Sequence, residues 1–217
     1  MIGAREEILG RVRAALDDVP TAERAGDVTV ARDYRHHGEL AGESLVQRFA
    51  ERVADYDAQV DRVAGADLGH AVTAACMEMG LRRVVVPAAL PAAWRPRELE
   101  VIEDRGLGAI ELDAIDGAVT GCAAAIAETG TLVLDGQGRC GRRLLTLVPD
   151  HHICIVSVDQ IVELVPEAIA AVAPAVREHG APITLVSGPS ASSDIELSRV
   201  EGVHGPRHLL VLIASDL

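Results

Sequence analysis

The 217-residue chain contains no lysine: all twenty residues counted as Lys+Arg are arginine. That absence removes the Schiff-base lysine of covalent carbonyl chemistry, the lysine that anchors pyridoxal phosphate and the lysine of a P-loop. Any anion bound here is held by guanidinium groups, backbone N–H groups or hydroxyls. Aromatic residues are nearly as scarce, with one Phe, one Trp and two Tyr. A surface that stacks bases needs aromatic faces or a basic stripe. A formal net charge of -13 repels phosphate backbones and anionic lipid alike. Nucleic acid is therefore not an expected partner.

The four cysteines, Cys76, Cys122, Cys140 and Cys154, form no C-x-x-C pair, and no Cys/His cluster has zinc or iron–sulfur spacing. No metal or cofactor is expected in this chain. There is no apolar run of about 18 residues, so no membrane span is expected. Met1 to Glu7 carry charges where a secretory signal would begin its apolar region. The expected compartment is the reducing cytoplasm, with free thiols rather than a disulfide framework.

What the chain does have is 49% apolar residues, almost all aliphatic, enough for one sizeable core. Ile8, Leu9, Val12, Ala15 and Leu16 recur at helical spacing, which predicts an amphipathic helix over residues 3–17. Residues 18–42 lack periodicity and carry Pro20, Gly26, Gly38 and Gly42. Residues 1–42 thus read as a helix and arm, and residues 43–217 as an α/β domain. That domain begins with a helix bearing Leu45, Val46, Phe49 and Val53 on one face. A strand near residues 60–63, a helix from Asp67 to Met79 and a strand at Val84-Val85-Val86 follow, the last as apolar as a strand buried on both faces. Pro96 in a first turn predicts a helix over residues 96–104, ended by Gly106. Later apolar runs lie at 123–127, 132–134, 153–158, 183–186 and 209–213, with a helical stretch over 159–178 that Pro166 and Pro174 interrupt. This alternation implies a mostly parallel sheet with helices on both faces.

Four segments carry residues suited to chemistry. In Ala127-Glu128-Thr129-Gly130-Thr131, two apolar runs flank a tight turn, which places Glu128 and two hydroxyls at the tip of a hairpin. Asp135-Gly136-Gln137-Gly138-Arg139-Cys140-Gly141-Arg142-Arg143 reads as a mobile, glycine-rich loop, and its three arginines are the densest positive charge in the chain. Arg142 and Arg143 are candidate partners for a carboxylate or phosphate, which guanidinium forks match bidentately. Third, Gly188, Ser190, Ser192 and Ser193 follow the run at 183–186, where loops at the carboxyl ends of parallel strands form ligand crevices. Ser193 to Glu196 fits a capping box, which assigns Glu196 to the cap and leaves Asp194 for the crevice. Fourth, His204 sits between glycines in Gly202-Val203-His204-Gly205-Pro206, able to donate a hydrogen bond or shuttle a proton. Adjacent His151 and His152 point to opposite faces of an extended chain, so they are not a chelate. Glu128, Asp194 and His204 are the candidates for catalysis, with a solvated turn, a helix cap and a structural hydrogen bond as their plain alternatives.

The order of Ala127-Glu128-Thr129-Gly130-Thr131, Gly188-Pro189-Ser190, Ser193-Asp194-Ile195-Glu196 and Gly202-Val203-His204-Gly205-Pro206 resembles the LUD-domain family, in particular its lactate-utilisation protein C branch. The resemblance runs from about residue 43 to 213. It departs from the family after Gly-Pro-Ser: Ala191 and Ser192 stand where the family often has a cation and a threonine. The resemblance implies a fold similar to the NagB/RpiA/CoA-transferase group. It also implies a part in oxidising L-lactate to pyruvate beside two iron–sulfur partner proteins, which would carry the redox centres. A stand-alone enzyme or a binding module for a sugar-phosphate- or CoA-like ligand is the other reading, and whether the chain itself turns over is left open.

Overall fold

The computed structural model describes residues 3–20, 22, 24, 26, 29–192, 200–201 and 204–217. Its contacts divide the chain into two units, residues 1–34 and 35–217. The first contains α1 (Ala4–Ala15), in which Ile8, Leu9 and Val12 are exposed and Glu7 pairs with Arg11 one turn later at 2.6 Å. No described helix is long and apolar enough to cross a membrane.

In the second unit the elements run α2 (Gly42–Ala54), β1 (Gln59–Ala64), α3 (Leu68–Glu78), β2 (Arg83–Pro87), β3 (Glu100–Asp104), α4 (Ala109–Asp113), β4 (Gly117–Gly121), β5 (Ala124–Ile126) and β6 (Thr131–Leu134). Then come β7 (His151–Ser157), β8 (Ile161–Val162), α5 (Val165–His179), β9 (Thr184–Val186), β10 (Ala191–Ser192), β11 (Val200–Glu201) and β12 (His208–Ser215). Six strands form a sheet in the order β1-β12-β7-β4-β2-β3, every neighbouring pair parallel. A second, four-stranded sheet has the order β8-β5-β6-β9, and β6 runs antiparallel to both its neighbours.

The two-residue period of a strand decides where each side chain goes. Leu210, Leu212 and Ala214 of β12 and Ile153 and Ile155 of β7 pack on α3 through Leu68, Val72 and Cys76. The intervening Leu209, Val211, Ile213, Cys154 and Val156 face the other way, onto Val46, Phe49 and Val53 of α2 and onto Leu132 and Leu134 of the small sheet. Val85, Ala118 and Leu112 of α4 extend that second side. On the far face of the small sheet, Ala124, Ile126 and Val133 are covered by Ala168 and Val172 of α5. Helices therefore lie on both faces of a parallel sheet, as the alternation predicts.

Two local expectations are corrected. Residues 100–104 are strand β3, not the end of a helix, and only residues 92–94 make a short 3-10 turn. Glu98 takes φ 67°, which no α-helix accommodates. Beyond it Val101 and Ile102 align with Val84 and Val85, and Arg83 pairs with Glu100 at 3.1 Å across the register. The glycine-rich segment 135–143 is not a loose loop either. Asp135 accepts the Gln137 N–H at 3.0 Å, and residues 138–140 form a 3-10 turn. Arg142 forks onto both oxygens of Asp104 at 2.6 and 2.8 Å and also donates to the Leu107 carbonyl. This clamp ties the segment to the end of β3.

The Asp104 side chain is only 8% exposed and that of Arg142 34%, so the clamp is partly desolvated and each partner is costly to leave alone. The Arg142 guanidinium, with the backbone N–H groups of Gly106 and Leu107, holds the Asp104 carboxyl below its ordinary range. A depressed folded-state pKa contributes stability above the unfolded value, and that contribution disappears as pH falls through the folded one. Asp104→Asn is expected to cost about 1–3 kcal/mol at neutral pH. Urea titrations at pH 7 and below pH 4 check this: the gap between wild type and variant should shrink at the acidic end.

Candidate functional site

A cleft of about 210 Å³ opens where the 3-10 turn at Arg143–Thr146, the segment after β9 and the segment before β12 meet. It lies at the amino-terminal ends of β7 and β12, because His152 and Leu209, the second residue of each, form part of its wall. Arg143 is half-buried, and its Nη1 donates to the carbonyl of Thr146 at 2.7 Å and to its hydroxyl at 2.9 Å. Burial lowers the Arg143 pKa from its ordinary value, yet a guanidinium keeps its proton in a protein. Among the described residues no carboxylate pairs with it. The rest of its donor fork is available to a ligand.

His152 is 2% exposed. The Thr120 hydroxyl donates to the Gly121 carbonyl at 3.0 Å and lies 2.8 Å from His152 Nε2. A hydroxyl has one proton to give; with it directed to Gly121, the imidazole hydrogen is assigned to Nε2 and Nδ1 is the acceptor nitrogen. Burial, and then the nearby charge of Arg143, push the His152 pKa down to about 4. The imidazole is therefore neutral at physiological pH, a hydrogen-bond acceptor and a weak base beside a fixed cation. The rim is hydrogen-bonded to itself: Ser190 N–H donates to the Pro206 carbonyl at 2.8 Å, and the Ser190 hydroxyl accepts the His204 N–H at 3.0 Å.

Of the residues singled out from sequence, Arg143, Gly188, Ser190 and His204 line this cleft together. Thr131 joins it indirectly, its hydroxyl 2.7 Å from that of Ser187 in the cleft wall and 2.7 Å from that of Thr129. Gly130 sits where a side chain has no room: at φ 59°, a Cβ would lie 2.5 Å from the Arg52 backbone at the end of α2. The Thr129–Thr131 turn is thus packed onto a helix rather than presented to solvent. Glu128 does not line the cleft; its carboxylate meets Arg35 at 2.6 Å. Arg142 is engaged by Asp104. Ser192 belongs to β10, aligned with Val200 of β11, and Ser193, Asp194 and Glu196 lie outside the described residues.

Gly188 and Ser190 do follow a strand, but that strand is β9 of the small sheet, antiparallel to β6. The reasoning from the carboxyl end of a parallel strand does not apply to them. Thr146, Ser187 and His152 escaped the sequence reading as site residues. No motif marks the first two. For His152 the alternation was the available signal: His151 faces away, stacked on His208 with ring centroids 4.4 Å apart, so His152 had to face inward.

Comparisons with known proteins place the chain in a family and agree with its fold. The LUD domain family matches residues 92–214. A lactate utilization protein C of Deinococcus radiodurans is 49% identical over 175 residues, 80% of this chain and 81% of that one. The lactate utilization protein C 1 of Bacillus mycoides is 37% identical over 119 residues, about half of each chain. The crystal structure of a DUF162 family protein from Deinococcus radiodurans superposes with a TM-score of 0.71 at 43% identity, covering 81% of this chain and 99% of that one.

Two outcomes follow from the site. His152, with a folded pKa below the ordinary value near 6.5, stabilises the fold above that value and loses the contribution as pH falls from there toward 4. Its ring NMR signals are expected to hold the neutral, Nε2-protonated form down to about pH 5; a midpoint above pH 6 defeats the assignment. Gly130→Ala, which forces both a left-handed φ and a backbone overlap, is expected to cost more than about 1 kcal/mol in a urea titration.

Proposed function

The chain belongs to the LUD-domain family, and from that premise we propose that it serves in lactate utilisation, as a component that binds a small carboxylate in the Arg143 cleft and works with electron-accepting partners. The relatives named lactate utilization protein C support the setting. The observation that carries the binding role is Arg143 itself: a half-buried cation, pinned by Thr146, with no carboxylate partner among the described residues. In a protein of net charge -13, an inward-facing guanidinium with no carboxylate partner among the described residues is a selective anchor for an anion.

The chemistry of a 2-hydroxy acid fits the rest of the cleft. The carboxylate takes the free donors of Arg143, and the neighbouring hydroxyl finds acceptors in His152 Nδ1 and the Ser187 and Ser190 oxygens. Converting L-lactate to pyruvate releases two electrons and two protons. A neutral imidazole beside a fixed cation can accept a hydrogen bond from the hydroxyl. The electrons require an acceptor, and we assign that role to iron–sulfur partner proteins, since the cysteines of this chain have no cluster spacing. The protein alone is then a binding component, acting in the cytoplasm with those partners.

Arg143→Gln removes the charge and shortens the side chain, leaving one amide NH2 as donor. Because a hydrogen bond to a charged group contributes about 1.5–3 kcal/mol, lactate or pyruvate affinity by calorimetry is expected to fall by at least about tenfold. The melting temperature should move little. The purified wild-type chain should not oxidise L-lactate with an artificial electron acceptor, and activity should appear on addition of the iron–sulfur partners. Turnover by the chain alone would favour the stand-alone enzyme instead.

A further inference from the structure

We propose that a second small-molecule site lies at the carboxyl ends of β2 and β4, built for a compact organic anion that carries a hydroxyl beside its charged group. The topology picks out the place. From β2 the chain moves to β3 at one edge of the six-stranded sheet, then returns to β4 on the other side of β2 and continues toward β7 and β12. The strand order reverses between β2 and β4, and in open parallel sheets the crevice outside the carboxyl ends at such a reversal is where ligands bind. A cavity of about 360 Å³, distinct from the Arg143 cleft, adjoins this reversal on its β4 side: Cys122, the residue directly after β4, is in its wall, and Ala171, Val172 and Ala175 of α5 close it opposite.

The glycine-rich segment forms the other wall. Gly141 takes φ 65°, and a Cβ on it would stand 2.8 Å from the ring of Pro87, the last residue of β2. This close approach seats residues 138–140 over the strand ends. The Arg142–Asp104 clamp fixes the far side of the segment. From it Arg139 and Asp135 reach the cavity. Arg139 lies over the ring of Trp94, 5.1 Å from its centroid. Among the described residues it has no carboxylate partner, Asp135 included. A guanidinium stacked on an indole keeps its planar donor edge for a carboxylate or phosphate. Asp135 accepts the Gln137 N–H and also hydrogen-bonds the Cys140 thiol; a carboxylate has about four lone-pair sites, so acceptor capacity remains for a ligand hydroxyl.

The remaining wall is apolar and rigid. Gln160 donates to the Cys122 carbonyl at 2.7 Å and accepts the Ser157 N–H at 2.9 Å, locking the end of β4 to the end of β7. Hydrogen bonding with Cys154 and burial push the Cys122 thiol up, and burial does the same to Cys140. Both are neutral thiols that shape the wall. The separation of a cation, an acceptor and an apolar floor matches a short hydroxylated anion. A 2-hydroxy carboxylate and a phosphorylated polyol share that chemistry.

Trp94 is the only tryptophan in the chain and carries the Arg139 guanidinium 5.1 Å from its ring centroid, so its fluorescence reports a ligand that engages Arg139. The full chain is titrated with L-lactate, glycerate and glycerol 3-phosphate, with acetate and inorganic phosphate as anions lacking the hydroxyl, and each binding curve is repeated by calorimetry. A saturable change in Trp94 emission is expected with a hydroxylated anion. The response to carboxylates against glycerol 3-phosphate identifies which class is bound. Affinity read through Trp94 emission should weaken by at least about tenfold in Arg139→Gln and Asp135→Asn, while Arg143→Gln should lower only the calorimetric signal of the first cleft. The proposal is overturned if no hydroxylated anion alters Trp94 emission into the millimolar range. It is equally overturned if acetate and phosphate change Trp94 emission as strongly, or if the emission of Arg139→Gln responds like wild type. Loss of binding in Arg143→Gln alone would support the first cleft and count against this one, so the two readings fail separately.

Discussion

A parallel sheet covered on both faces leaves no room for chemistry along its strands. β7 and β12 show the constraint most plainly: alternate residues of each enter one of two apolar cores, and their backbone groups are consumed by parallel neighbours. Polar side chains that must face a ligand are thereby displaced to the strand ends. His152 at the start of β7 and Cys122 just past the end of β4 mark the two displacements. The two cavities occupy opposite ends of the same sheet because its middle is closed to them.

The segment at residues 135–143 links those ends. Its three arginines lie within five residues, yet each does a different job. Arg142 is spent on Asp104 and gives the segment its rigidity. Arg143, the next residue, turns into the cleft by the amino ends, and Arg139 rests on Trp94 by the carboxyl ends. A short 3-10 turn on each side of Arg142 separates the three directions. Charge density read from sequence suggested one anion site. Geometry divides it into a structural clamp and two separate cations.

How far the sequence spoke depended on whether the signal was periodic or contextual. The aliphatic runs that became β2, β7 and β12 were legible, because burial on both faces demands continuous apolar side chains. The hairpin of β5 and β6 was legible from two runs flanking Thr129-Gly130. β4 was not: Gly-Ala-Val-Thr-Gly has two glycines and one large aliphatic, and it is a strand because β2 and β7 supply both ladders. β3 was mistaken for a helix because a proline start signal outweighed two β-branched residues, Val101 and Ile102, that pair with Val84 and Val85 of β2. At the site, Arg143, Gly188, Ser190 and His204 were found by residue type and turn chemistry. Thr146 and Ser187 were not, since their roles exist only once Arg143 and Thr131 are beside them.

The missing lysines also shape how these sites respond to pH. An ammonium in a half-buried cleft loses its proton readily when desolvated, and its binding of anions would fade with it. A guanidinium under the same burial keeps its charge, so Arg143 is a fixed cation over the physiological range. Responsiveness then falls to the groups around it. His152 is held neutral by the cleft's own burial and by that same charge, which makes the cation and the neutral imidazole a single device: the first suppresses protonation of the second. A dianionic or monoanionic guest near Arg143 would offset that suppression and raise the basicity of His152.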